Sequence, residues 1–153
     1  MLENLPVPDF SVPSTSGKTF TLSANQGKSV VIYFYPKDDT PGCTTEGANF
    51  RDLIAEFTAL GCVIVGVSRD TIVSHEKFKA KMTFQFELLA DTDETMCTMF
   101  GVMKMKNMYG KQVRGVERST FLIDKAGVLK REWRGVKVPG HVDEVLAAVK
   151  ALG

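Results

Sequence analysis

The stretch SVVIYFY, residues 29–35, decides the fold, because after Ser29 every side chain in it is β-branched or aromatic. An apolar run without polar alternation indicates a strand that is buried on both faces of a sheet. Pro36 ends the run, and residues 43–60 then change to helical spacing. One face of that helix carries Phe50, Leu53, Ile54, Phe57 and Leu60. Strand, turn and amphipathic helix in this order predict an α/β unit.

The rest of the chain continues the alternation of strand and helix. Two alternating segments, 10–12 and 19–22, predict an N-terminal β-hairpin. Further strands are predicted at 62–68, 87–90, 119–124 and 128–134, and further helices at 71–81, 93–100 and 140–151. Residues 101–117 are expected to form a long connection that covers the site. We therefore expect an α/β fold, a mixed central sheet with helices on both faces, in a single domain spanning residues 1–153.

Composition excludes several classes of function. The chain has 153 residues and a net charge of +1, and its scattered Lys and Arg residues form no basic stripe for nucleic acid. The longest apolar run, residues 30–35, is too short to cross a membrane. The N-terminus has no basic region followed by an apolar one, which argues against a signal peptide and predicts a cytoplasmic protein. With two histidines and three cysteines we expect neither a metal nor another cofactor.

The turn PKDDTPGCTTEG, residues 36–47, carries the candidate chemistry. It lies beyond the carboxyl end of a buried strand, where α/β sheets bind ligands. Cys43 falls at the predicted helix start, where free N–H groups and the helix dipole favour a thiolate, and a cysteine so placed can have a pKa several units below ~8.5. Thr40 and Thr44 add hydroxyl groups that are expected to donate to the sulfur or to a bound oxygen, and the turn is shaped by Pro36, Pro41 and Gly42. The alternative is a half-buried structural cysteine.

Pro36, Thr40 and Cys43 form the pattern P-x-x-x-T-x-x-C. With it the chain resembles the peroxiredoxin family, and within it the subgroup called bacterioferritin comigratory protein or peroxiredoxin Q. The resemblance also rests on four longer segments: FYPKDDTPGCTTEGANFRD, LLADTDETMCTMFGV, MYGKQVRGVERSTFLID and VKVPGHVDEVL. It covers nearly the whole chain. It implies a thioredoxin-like fold and a monomer, and it maps the family's catalytic arginine onto Arg118.

The resemblance also implies the roles of the site residues. Cys43 would attack hydrogen peroxide or an organic hydroperoxide and become a sulfenic acid. Arg118 would stabilise the thiolate and the leaving oxygen, while Thr40 and the Cys43 N–H hold the peroxide and Pro36 shields the sulfur. Glu46 is expected to orient Arg118 through a bidentate pair, or else to be a solvent-facing acid of the first helical turn. Support of the site is expected from Thr44 and Gly42.

The thiol that would reduce the sulfenic acid is not evident. Many members of the subgroup carry a resolving cysteine five residues after the first, which here is Ala48, or on the helix at 73–81, which here contains none. Cys62 begins a strand and is expected in the core, whereas Cys97 is kept as a possible resolving thiol. We favour a one-cysteine cycle with an external thiol: glutathione, glutaredoxin or thioredoxin. The alternatives are a two-cysteine cycle through Cys97 and a non-enzymatic redox sensor or holdase.

Two further features lie outside this pattern. His75 is expected on the surface of the 71–81 helix, and His141 in the first turn of the last helix, neither with an evident acid–base partner. Five methionines fall between residues 96 and 108. They are expected to fill gaps at an edge of the core, or to form an adaptable apolar collar near the site for organic peroxides or a reductant.

Overall fold

The structure, a computed structural model, describes residues 1–152. Its strands are β1 Ser11–Ser14, β2 Lys18–Thr21, β3 Ser29–Phe34, β4 Cys62–Ser68, β5 Glu87–Ala90, β6 Met103–Met108, β7 Lys111–Val116, β8 Ser119–Ile123 and β9 Leu129–Arg134. Its α-helices are α1 Pro41–Asp52, α2 Ile54–Ala59, α3 Ile72–Met82, α4 Thr95–Met99 and α5 His141–Ala151. Within residues 1–152, no helix combines the length and the apolar character that crossing a membrane requires.

Seven of the strands form one mixed sheet in the order β2-β1-β5-β4-β3-β8-β9. The three central strands, β5, β4 and β3, are parallel, and antiparallel pairs extend the sheet on both sides. The predicted N-terminal hairpin is present as β1 and β2. The mixed α/β sheet predicted from the element pattern is confirmed, and so is the thioredoxin-like fold that the family resemblance implies.

The sheet separates two apolar cores, because successive side chains of β3 point to opposite faces. Val31 and Tyr33 lie on the face covered by α1, α2, α3 and α5, which we call the Cys43 face because Cys43 packs there. Ile32 and Phe34 lie on the opposite face, which is covered by α4 and the N-terminal segment. Helices therefore cover both faces, as predicted, but most of them lie on the Cys43 face.

The register of β3 positions the candidate site. Phe34, the last residue of β3, pairs with Val67 of parallel β4 and with Ser119, the first residue of antiparallel β8. The turn that follows β3 and the residue that precedes β8 therefore meet at one end of the sheet. Cys43 belongs to the first of these segments and Arg118 to the second, so the fold brings them together although they are far apart in sequence.

The helix predicted at residues 43–60 is interrupted at Leu53. The Leu53 N–H donates to the Phe50 carbonyl at 3.2 Å, a contact across three residues instead of four, and α2 restarts the helix at the next residue. Phe50 and Phe57, on either side of the break, are both fully buried with ring centroids 6.0 Å apart. The break therefore leaves the apolar face that the sequence predicts intact.

The prediction that residues 101–117 form a long connection without strands is wrong. These residues form a β-hairpin, β6 and β7, which is a separate two-stranded sheet paired from Met103–Val116 to Met108–Lys111. Tyr109 and Gly110 form the two-residue turn, with φ of 52° and 80°. Positive φ at both positions is the requirement of a tight hairpin turn whose twist matches the strands.

Candidate active site

The site is built around the first turn of α1. Thr40 caps the helix in an extended conformation, its carbonyl accepting the Thr44 N–H at 2.8 Å, and Pro41 occupies the first helical turn. Helix geometry provides no acceptor for the N–H groups of Gly42 and Cys43. Cys43 is 2% exposed and lies on the Cys43 face of the core. The sulfur is therefore held at the positive end of α1 and shielded from bulk water.

Arg118 joins the sulfur to a carboxylate. Its Nη2 donates to Cys43 Sγ at 3.4 Å, and its Nη1 donates to Glu46 Oε1 at 2.6 Å. Partial burial opposes the charge of this guanidinium, but Glu46 and the Cys43 sulfur outweigh that effect, and the pKa of Arg118 is raised. The cation is thus permanently present beside the sulfur.

Glu46 is fully buried one helical turn after Cys43. Burial raises its pKa to about 7, although Arg118 acts in the opposite direction. Only Oε1 contacts Arg118, so the pair is not the bidentate one expected from the sequence; among residues 1–152, Oε2 has no hydrogen-bond partner. Glu46 is not the solvent-facing acid of the alternative interpretation. It holds the guanidinium from the protein side while the sulfur contacts the other nitrogen.

Gly42 makes room for this arrangement. A Cβ atom on Gly42 would lie 3.1 Å from Arg118 Nη2 and 3.9 Å from its central carbon. Such a contact is tighter than the van der Waals distance between these atoms. A side chain at Gly42 would therefore require Arg118 Nη2 to move by a few tenths of an ångström from its position beside the sulfur.

The remaining residues of the motif line the turn. The Thr40 hydroxyl donates to the Lys37 carbonyl at 2.8 Å, so its oxygen lone pairs, and not its proton, are available to a ligand. This differs from the expectation that the Thr40 hydroxyl donates to the sulfur or to a bound oxygen. Thr44 and Pro36 are half-buried beside the turn. The residues that the sequence assigns to the reaction itself meet at this end of the sheet, whereas Cys97, the possible resolving thiol, does not: Pro36, Thr40, Gly42, Cys43, Thr44, Glu46 and Arg118.

A buried hydrogen-bond network behind the turn was not predicted. His75 of α3 is fully buried, so its expected surface position is wrong. Its Nδ1 lies 2.7 Å from Asp38 Oδ2, and its Nε2 lies 2.9 Å from the Leu89 carbonyl oxygen. Asp38 also accepts from the Tyr35 hydroxyl at 2.6 Å and from the Ser74 hydroxyl at 2.8 Å. Because both ring nitrogens face oxygen atoms, one proton is held between His75 Nδ1 and Asp38 Oδ2.

The same network contains the one group of side chains within residues 1–152 with metal-ligand geometry. Asp38, Asp70 and His75 offer ligand atoms that lie within 4.8 Å of one another. Each of these side chains is already engaged in hydrogen bonds, with Asp70 accepting from the Asp38 N–H at 2.9 Å and from the Ser68 hydroxyl. The three side chains therefore already have hydrogen-bond partners within the protein. The network that they form joins the active-site turn to α3 and to the end of β4.

The other two cysteines lie away from Cys43. Cys97 is fully buried on the opposite face of the sheet, and burial together with nearby Asp91 raises its pKa far above the ordinary value. Cys62 pairs with Ser29 at the start of β3, about 17 Å along the strand from the end that carries the site. Burial raises the pKa of Cys62 to about 11. Both thiols are neutral and buried, and the core position expected for Cys62 is observed.

Comparisons with known proteins agree with this geometry. The model of the AhpC/TSA family matches residues 4–132. The Peroxiredoxin Bcp of Xanthomonas campestris is 56% identical over 149 residues, covering 96% of this chain and 93% of that protein. The Peroxiredoxin Bcp of Bacillus subtilis is 50% identical over 143 residues, covering 94% and 91%.

Solved structures show the same similarity to the bacterioferritin comigratory proteins. A structure of the Xanthomonas campestris bacterioferritin comigratory protein, studied for its alkyl peroxide reduction activity, superposes with a TM-score of 0.89 at 54% identity, covering 93% of this chain and 90% of that one. A helix-start cysteine beside a half-buried arginine is thus part of a chain that is similar to these proteins over nearly its whole length. The chain belongs to the AhpC/TSA family and is a peroxiredoxin of the bacterioferritin comigratory protein or peroxiredoxin Q group, a thiol-dependent peroxidase.

Proposed function

We propose that the chain reduces hydrogen peroxide and organic hydroperoxides through a sulfenic acid on Cys43, in a one-cysteine cycle completed by an external thiol. The observation that carries the proposal is the 3.4 Å contact between Arg118 Nη2 and the Cys43 sulfur at the start of α1. A guanidinium and a helix N-terminus both stabilise the thiolate, which is the reactive form. All groups of the site come from one chain, which supports action as a monomer.

In the first half of the cycle, the Cys43 thiolate attacks one oxygen of the hydroperoxide. A sulfur–oxygen bond forms while the oxygen–oxygen bond breaks, and the leaving alkoxide or hydroxide takes a proton from solvent to give an alcohol or water. Arg118 stabilises the negative charge as it moves from sulfur to the leaving oxygen. The Thr40 oxygen accepts the hydroperoxide O–H, and the Cys43 N–H donates to the attacked end, which keeps the oxygens in line.

In the second half, an external thiol attacks the sulfur of the sulfenic acid and displaces water, giving a mixed disulfide. A second thiol then cleaves that disulfide and restores Cys43. The positions of Cys62, at the far end of β3, and Cys97, on the opposite face, support an external reductant over an internal one. The neutral state of both thiols supports it further, because only a thiolate attacks readily. Such a cycle depends on a reduced thiol pool, so we place it in the cytoplasm.

Mass spectrometry of the protein after one equivalent of peroxide tests this cycle. We expect one added oxygen atom on Cys43, no intramolecular disulfide, and the same product in C62S and C97S variants, while C43S takes up no oxygen. Loss of two hydrogen atoms between Cys43 and Cys97, together with a C97S variant as inactive as C43S, would contradict the one-cysteine cycle.

Turnover separates the enzyme from a sensor that uses the same thiol. With excess dithiothreitol and peroxide, an enzyme consumes many equivalents of peroxide per protein chain, whereas a sensor or holdase stops near one. Consumption that ends at one equivalent in the presence of dithiothreitol would leave Cys43 as a redox sensor and remove the catalytic cycle.

A further inference from the structure

The β6–β7 hairpin, residues 103–116, extends from the protein next to the active site. It forms a sheet of its own, and only its base, Met103 and Val116, packs into the apolar core. The chain passes from Val116 through Glu117 directly to Arg118. Whatever binds along the hairpin therefore lies beside the residue that contacts the Cys43 sulfur.

The hairpin concentrates exposed apolar side chains. Met105 is 60% exposed, Met108 49%, Tyr109 99% and Val113 42%. These are half of the large apolar side chains that are exposed within residues 1–152, and they lie on one short ribbon. Isolated exposed apolar residues are ordinary, but a cluster of them marks a contact surface. Methionine in particular adapts its shape to a partner.

The hairpin is also strongly basic. It carries Lys104, Lys106, Lys111 and Arg114, and no acidic residue occurs between Glu94 and Glu117. Since the whole chain has a net charge of +1, the residues outside these four carry a net −3, so positive charge is concentrated in the hairpin, although Arg114 is paired with Glu94 at 2.5 Å. Lysines on the edges of a ribbon discourage aggregation, which explains the charges but not the exposed apolar side chains between them.

The charge of the hairpin acts on the active site. Lys106 is half-buried, and its Nζ donates to the Val116 carbonyl at the hairpin base. Burial and then Arg118 lower the pKa of Lys106, whereas Glu117 and the Cys43 sulfur act in the opposite direction. The basic ribbon and the reactive sulfur therefore lie within electrostatic range of each other.

We propose that the 103–116 hairpin is the docking surface for an acidic dithiol protein that reduces the sulfenic acid of Cys43. This inference rests on the proposed function. A negatively charged partner with apolar contacts matches the hairpin in both respects. A second copy of this chain would bring the same positive charge, so self-association through the hairpin is opposed.

A dithiol partner also completes the chemistry without a second cysteine from this chain. Its first thiol attacks the Cys43 sulfur and displaces water, so that a sulfur–sulfur bond joins the two proteins. Its second thiol attacks the partner's own sulfur in that bond. Cys43 leaves as a thiolate, and the partner leaves as an internal disulfide, oxidised by two electrons.

Peroxide turnover driven by an acidic thioredoxin, with its reductase and NADPH, tests the docking surface. In a K104E/K111E variant we expect the KM for thioredoxin to rise roughly tenfold at low ionic strength and to approach the wild-type value as salt is added, because reversed surface charges slow association. In an M108S/Y109S variant we expect a rise that does not depend on salt. Turnover with dithiothreitol is unchanged in both.

The matched control is K28E/K125E, which makes the same change of charge on exposed lysines at the other end of the sheet. It leaves the KM for thioredoxin at the wild-type value. An unchanged KM in both hairpin variants would overturn the proposal. So would a parallel loss of glutathione-driven turnover, which would mean that the hairpin attracts small anionic thiols.

The same variants test two other occupants of the hairpin, an anionic lipid surface and a second copy of the chain. Binding of the wild type to vesicles of anionic phospholipid that the K104E/K111E variant loses would make the hairpin a lipid-binding surface. A dimer in sedimentation that M108S/Y109S abolishes would make it a self-association surface, and either result overturns the docking proposal. Failure of the wild type to turn over with dithiothreitol would instead remove the peroxidase cycle, so the two failures are distinguishable.

Discussion

Gly42 is the second residue of α1 and lies next to the guanidinium of Arg118, so that an added Cβ atom would be 3.1 Å from Nη2. Alanine is well tolerated by helix backbones and has a higher helix propensity than glycine by about 1 kcal/mol. In a G42A variant the fold should therefore be kept, and the strain should fall on the position of Arg118. The G42A variant thus allows the effect on the chemistry of the site to be measured apart from the effect on the stability of the protein.

We expect G42A to reduce peroxide about tenfold more slowly, in line with the loss of a well-aimed cation, and to melt no lower than the wild type. The rate at which iodoacetamide alkylates Cys43 at neutral pH should fall, because the displaced cation stabilises the reactive thiolate less. Stopped-flow peroxide reduction, alkylation rates and calorimetry measure the three effects. Thr45, exposed on the same turn, provides the control variant T45A. A G42A variant with an unchanged alkylation rate would show that this close approach is unimportant.

Arg118 could be named from the sequence only through the family resemblance. It is separated from Cys43 by 75 residues, and no local pattern in ERSTFLID points to a catalytic cation. The contact depends on the pairing of β3 with β8, which is a property of the whole sheet. Cys43, in contrast, can be predicted from the sequence directly, because the strand, the turn and the helix start that position it are adjacent in the chain.

At the scale of the elements, the patterns with one buried face were predicted well and those without one were not. Residues 30–35 and 62–67 are short runs without charged or strongly polar side chains, rich in β-branched residues, which favours buried strands. In the hairpin, Met and Lys do alternate over residues 103–106, but most of both faces is exposed, so no core face indicated the register. The burial of His75 had a signal: it stands three residues before the buried Phe78 on α3, and so on the same helical face.

The His75–Asp38 pair links α3 to the turn that precedes Cys43. Replacing His75 by glutamine keeps part of the volume, but both donor protons of the amide lie on one nitrogen and do not replace two ring nitrogens that contact Asp38 and Leu89 separately. A lost buried hydrogen bond to a charged group costs about 1.5–3 kcal/mol. We expect H75Q to destabilise the protein in that range, to lower kcat for peroxide reduction with dithiothreitol, and to speed amide hydrogen exchange at residues 37–40.

The kinetic and exchange measurements distinguish positioning from general stability. Val73, 64% exposed on the same helix, gives the control V73A, which should match the wild type in both. If H75Q lowers the melting temperature but leaves exchange at residues 37–40 and kcat unchanged, the pair holds α3 in place without positioning the turn.

For the whole molecule, the site depends on four segments that meet at one end of the sheet: the turn after β3, the first turns of α1, the residue before β8, and α3. A second contact at this end joins α5 to β8, where His141 Nε2 lies 2.8 Å from the Thr120 hydroxyl. Burial lowers the pKa of His141 from 6.5 to about 4. The contact is therefore between neutral groups at neutral pH, and it links the stability of the fold to pH.

The sign of this linkage follows from proton binding. Between about pH 6.5 and 4 the unfolded chain binds a proton at residue 141 and the folded protein does not, so the free energy of unfolding falls as the pH is lowered through that window.

Glutamine at this position does not titrate. Urea unfolding of the wild type and of H141Q should therefore show the wild type losing stability relative to the variant by at most about 3 kcal/mol across the window, since one pKa unit corresponds to about 1.4 kcal/mol. Above pH 7 the two curves should run parallel, because neither residue changes its protonation there. Curves that stay parallel from pH 7 to 4 would mean that His141 is protonated as readily in the folded protein as in the unfolded chain, and that α5 is docked by its apolar face alone.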